Sequence, residues 1–128
     1  MKIVALIARL LLGLVFLVFG LNIFLHFLPM GPTPPGPMGQ FTGALFVTHY
    51  IHVVGFFQVV PAILLLINRY VPLALTLLGP VIVNILITHI LMAPNGLPIA
   101  LVVTILWLLV AYSVRSAFYP LFQQRVAD

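Results

Sequence analysis

Charge is what this chain has least of. Of 128 residues, five are Lys or Arg and one is acidic, whereas an ordinary soluble domain is ~25% charged. So few charged groups cannot keep a folded surface dissolved. The lone acid, Asp128, is the last residue, so no carboxylate lies within an apolar run. That excludes paired-carboxylate hydrolysis, a carboxylate di-metal centre and a carboxylate proton relay. Cysteine is absent, which removes disulfides, thiolate metal sites, iron–sulfur ligation and thiol redox chemistry. The bases Lys2, Arg9, Arg69, Arg115 and Arg125 are spread among apolar stretches. A nucleic-acid groove needs them clustered, so no nucleic-acid partner is expected.

What the chain does have is hydrocarbon. Hydrophobic residues make up 64% of it and the mean hydropathy is +1.33. A membrane-spanning helix needs ~20 mainly apolar residues. Four segments qualify, at about 3–28, 41–67, 71–92 and 97–117. Between the first two lies a Pro/Gly-rich stretch, Pro29 to Gly39, that cannot continue a helix. The second and third are separated by Asn68-Arg69-Tyr70, the third and fourth by the turn Ala93-Pro94-Asn95-Gly96. Connections this short favour antiparallel neighbours. The expected fold is therefore all-α: one transmembrane domain, residues 1–128, built as an integral membrane four-helix bundle in a lipid bilayer. Pro61 and Pro80 fall inside spans and predict packing kinks.

With four spans, the N-terminus, the second connection and the C-terminus share one side. All five bases fall there, and the connections 29–40 and 93–96 carry no charge. The positive-inside rule makes that side cytoplasmic. The expectation is a multi-pass inner-membrane protein with both termini cytoplasmic. Arg9, just inside the first span, is expected to snorkel its charge back to that interface.

The polar residues within the spans collect in the other half. Asn22 and His26 lie late in the first span, His49 and His52 early in the second, and Asn84 and His89 late in the third. The first two pairs, at i,i+4 and i,i+3, each share a helix face. His89 is turned ~140° from Asn84 on an ideal helix. Intramembrane ionisable groups are costly and so suggest function. Three readings stand side by side. The residues hydrogen-bond one another and glue the helices together. Alternatively Asn22, His26, His49, His52, Asn84 and His89 line a site for a quinone-like ligand, imidazole and amide N–H groups donating to its carbonyls and Phe24, Phe27, Phe46, Phe56 and Phe57 lining its ring. Or His49, His52 and His89 are candidate ligands of a metal or haem, with Met30, Met38 and Met92 as soft donors nearby. Gly13 and Gly20, seven apart, would give the first helix a small face for close packing.

These segments resemble the DoxX family of small four-helix membrane proteins over nearly the whole chain. The likeness rests on Ala8-Arg9-Leu10-Leu11-Leu12-Gly13 leading to Gly20-Leu21-Asn22-Ile23-Phe24-Leu25-His26-Phe27, and on Asn68-Arg69-Tyr70-Val71-Pro72. Pro80-Val81-Ile82-Val83-Asn84-Ile85 with His89, Ala93-Pro94-Asn95-Gly96-Leu97-Pro98 and Arg115-Ser116-Ala117-Phe118 extend it. The resemblance implies a four-helix fold, with Asn22, Asn84 and His89 at the family's intramembrane polar positions; His49 and His52 match no general family motif. It also implies an association with membrane redox systems. The expected function is an accessory or quinone-binding component of such a system, partnered by a membrane redox protein or by a second copy as a homodimer. A non-enzymatic assembly or chaperone subunit, the role of distant animal relatives, is the alternative, as is a His-based metal or haem protein. Sulfur chemistry is not carried over to a chain without cysteine.

Overall fold

The computed structural model describes residues 2–29 and 31–126; Met30 and Asp128 lie outside the described residues. Five helices follow one another: α1 (Lys2–Leu25), α2 (Gly36–Val47), α3 (Tyr50–Leu66), α4 (Val71–Leu91) and α5 (Leu97–Ser113). Short 3-10 turns form at Pro94–Gly96, Arg115–Ala117 and Tyr119–Phe122, and there is no strand among the described residues. Lys2–Leu25, Val71–Leu91 and Pro94–Ser113 are each long and apolar enough to cross a membrane. A fourth crossing is available if α2 and α3 are taken as one bent span.

The segment expected as one span over 41–67 is thus two helices meeting at 86°. Proline is not the cause, since Pro61 lies within α3 and Pro80 within α4. The Thr48 hydroxyl donates to the Ala44 carbonyl at 2.6 Å and accepts from the Tyr50 N–H at 3.3 Å. A side chain that competes for backbone bonds in this way loosens a helix. His49, the residue between them, has a left-handed backbone with φ 63°, a conformation that ends helices. Hydropathy is blind to both effects.

α1 packs most extensively on α3, and α1–α3–α4–α5 close into a ring of neighbours. Glycine sets the α1–α3 seam. A Cβ on Gly13 would come within 2.9 Å of Leu66, and one on Gly20 within 2.8 Å of Val59. On the other side, a Cβ on Gly55 would stand 2.7 Å from Phe24. The pairings 13 with 66, 20 with 59 and 24 with 55 make the two helices antiparallel. One end of the molecule therefore carries the start of α1, the α3–α4 turn and the end of α5. The opposite end carries the histidines.

The core is lopsided toward the first end. Ala8, Leu12 and Phe16 of α1 meet Ala62 and Leu65 of α3, Leu75 and Leu78 of α4, and Val103 and Val110 of α5. The outward faces are apolar too, with Leu14, Phe19, Val83, Ile87, Leu101 and Ile105 all exposed. Water-soluble monomers rarely expose apolar surface on this scale, and helices that are apolar all round are those of membranes or deep cores. Just before Pro80, which lies inside α4, the Trp107 indole N–H donates to the Leu75 carbonyl at 2.9 Å. That bond ties α5 to the carbonyl beside Thr76, the residue whose own acceptor Pro80 deprives of a partner.

Arg9 does not simply reach outward. It is half-buried, and its Nη1 donates to the carbonyl of Leu65. That carbonyl belongs to the last turn of α3, where unsatisfied acceptors and the helix dipole favour a cation.

Candidate functional site

Three of the six expected site residues, Asn22, Asn84 and His89, have side chains bonded locally. Asn22 is buried, and its Oδ1 accepts the Leu28 N–H at 2.7 Å. Its own carbonyl takes the His26 N–H at 2.9 Å. The residue therefore closes the end of α1, and His26, left-handed at φ 52°, is the exposed residue just beyond that end. His89 Nδ1 lies 2.7 Å from the Ile85 carbonyl. A carbonyl can only accept, so this bond assigns the proton to Nδ1 and leaves Nε2 as an acceptor. The His89 ring lies against the turn at Gly96, where a Cβ would come within 2.5 Å of Nε2.

Asn84 donates from Nδ2 to the Pro80 carbonyl at 2.8 Å. It is exposed, and stands ~200° around α4 from the buried Ile82. Its side chain thus points away from the other helices. The two asparagines are therefore not equivalent, Asn22 being a buried cap and Asn84 facing outward.

His49 and His52 are the pair that the fold brings together with an aromatic wall. Their rings stack with centroids 5.4 Å apart and planes 20° from parallel. His52 stacks in turn on Phe24 at 5.3 Å and 16°. Gly55, one turn further along α3, clears the space that Phe24 fills. The result is a three-ring ladder, Phe24–His52–His49, running from the end of α1 to the α2–α3 break. His49 is exposed and His52 half-buried. Among the described residues, the only imidazole nitrogen in a hydrogen bond is that of His89. The ladder thus offers parallel faces for stacking and ring N–H groups for donation to an acceptor.

Among the described residues no three or more His, Cys, Asp or Glu form a group able to hold a metal ion. His89 accordingly does not join His49 and His52 in such a set. Phe46 lies on α2, beyond the break, rather than on the continuous helix expected for residues 41–67, and Met38 lies in the first turn of α2 rather than in the non-helical stretch expected from Pro29 to Gly39.

Sequence reasoning used the bases only to orient the chain. Three of them, Lys2, Arg9 and Arg115, line one cavity at the end opposite the ring ladder. Nothing in their spacing marks this, because they come from the two termini of the packed helices. Compared with protein-family models, characterised proteins and solved structures, the chain matches none.

Proposed function

We propose that the chain is a four-span membrane protein whose ring ladder binds a planar, quinone-like head group, serving as an accessory component of a membrane redox system. In this reading α1, α3, α4 and α5 cross the bilayer and α2 lies along its surface. The 86° bend supports this division. So does length: α3, with 17 residues, spans ~25 Å, close to the ~30 Å hydrocarbon thickness without help from α2. All five bases belong to the termini or to the α3–α4 turn, which favours cytoplasmic termini. The resemblance to the DoxX family agrees with this topology.

The observation that carries the ligand reading is the Phe24–His52–His49 stack. A quinone ring extends a stack of flat rings, and its carbonyls accept from imidazole N–H. His49 holds a left-handed backbone that costs ~1–2 kcal/mol for most residues, a form of strain that clusters at functional sites. The direct test is to titrate purified protein with decylubiquinone and to analyse its organic extract by mass spectrometry. The double variant H49A/H52A is expected to bind up to about tenfold more weakly with its unfolding temperature retained. N84L, on the outward face, is expected to bind as the parent does. Equal affinity of H49A/H52A and parent would sink this reading.

A second reading is favoured by Asn84. An exposed amide on an apolar helix face suits a hydrogen bond to another helix, from a second copy or from a partner subunit. If the chain is an assembly subunit, N84L weakens crosslinking to that neighbour while quinone binding is absent in both forms.

A further inference from the structure

Two adjoining cavities open at the end of the molecule away from the histidines. The first, of about 420 Å³, is lined by Lys2 and Arg9 of α1, Asn68 of the α3–α4 turn, and Ser113 and Arg115 at the end of α5. Three cations thus face one space. Arg9 and Arg115 are both held in place. Arg9 donates to Leu65, while Arg115 donates to the Tyr112 carbonyl at 2.8 Å and lies 4.2 Å over the Tyr112 ring. Each guanidinium has five N–H donors and the described bonds use one, so both keep donors for an anion.

The second cavity, of about 440 Å³, is an apolar groove between the outer side of α5 and the C-terminal 3-10 turns. Trp107, Ala111, Phe118, Tyr119, Leu121 and Phe122 line it. Tyr112 and Arg115 belong to both cavities. A basic chamber that continues into an aromatic groove matches an amphiphile with an anionic head and an apolar tail. Free phosphate would use only the chamber, and a zwitterionic phospholipid would bring its own ammonium group up to the three cations.

We infer that this end of the molecule is a binding site for an anionic phospholipid, its phosphate held by Lys2, Arg9 and Arg115 and one acyl chain laid in the Trp107–Phe122 groove. Basic pockets between helices on the cytoplasmic side have the chemistry for such head groups. The inference rests on the membrane reading above and is independent of the ring ladder.

The test uses the full chain in detergent micelles, with lipid retention followed by native mass spectrometry. The probes are phosphatidylglycerol, phosphatidylcholine with the same chains, and glycerol phosphate as a head group without chains. Phosphatidylglycerol is expected to be retained at one molecule per chain, and the other two are not. K2Q/R115Q, which alters two exposed side chains, should weaken retention about thirtyfold with the unfolding temperature kept. R69Q, outside the cavity, should match the parent. Equal retention of both lipids, equal binding of glycerol phosphate, or an equal loss in R69Q overturns the site. Release of the chain from membranes by alkaline carbonate would instead overturn the membrane reading on which it rests.

Discussion

Along α3, two helices make contact in opposite ways. α1 lies in a seam where Gly13, Gly20 and Gly55 each meet a side chain closer than a Cβ would allow, and it buries Leu12, Phe16 and Asn22. α2 touches α3 near their shared break, buries no residue, and its Gly43 has nothing within 4 Å of a Cβ position. α1 contains two glycines and α2 three, and both helices precede α3 in the chain. The same residue type therefore serves close helix approach in one and leaves a loosely held helix in the other. Composition does not separate these roles; the neighbour does.

Substitutions test that contrast. G20V drives an isopropyl group, three extra carbons, into Val59 and Gln58, and overpacking of this kind costs ~1–3 kcal/mol. It should give the largest drop in unfolding temperature, measured in detergent; an unchanged temperature would show that the seam is not as tight as its distances imply. N22L removes the acceptor for the Leu28 N–H at the end of the seam. A loss of about 1 kcal/mol is expected in the same assay. G43A is the smallest change. In an exposed helix, alanine in place of glycine should leave stability unchanged or raise it by ~0.5–1 kcal/mol. A destabilised G43A would mean that α2 has a close neighbour after all.

Much of the architecture was readable from apolar run lengths. The first, third and fourth segments end within a few residues of α1, α4 and α5, apart from the 3-10 turns that follow Ser113. Gly13 and Gly20 were readable as a packing face and are buried against α3. The break at Thr48–His49 was not readable, because it depends on a hydroxyl forming two backbone bonds and on one left-handed residue. Nor did helical spacing distinguish Asn22 from Asn84. Both are amides in the later half of an apolar helix, yet one caps α1 and the other faces outward. His49 and His52 were readable as a pair at i,i+3; their stacking on Phe24 was not, since Phe24 comes from another helix across the seam.

The scarcity of charge, read alone, decided solvent and chemistry. An apolar chain with no cysteine and a single acid has helices long and apolar enough to cross a membrane, and the polar groups it carries are imidazole, amide, hydroxyl, guanidinium and backbone. Those conclusions need only transfer energies, which belong to residues one at a time. Which phenylalanine the imidazoles stack on and which three bases share a cavity depend on residues 28 to 113 positions apart, Phe24 with His52 and Lys2 with Arg115. Only the packing of α1 against α3 and α5 brings such residues together.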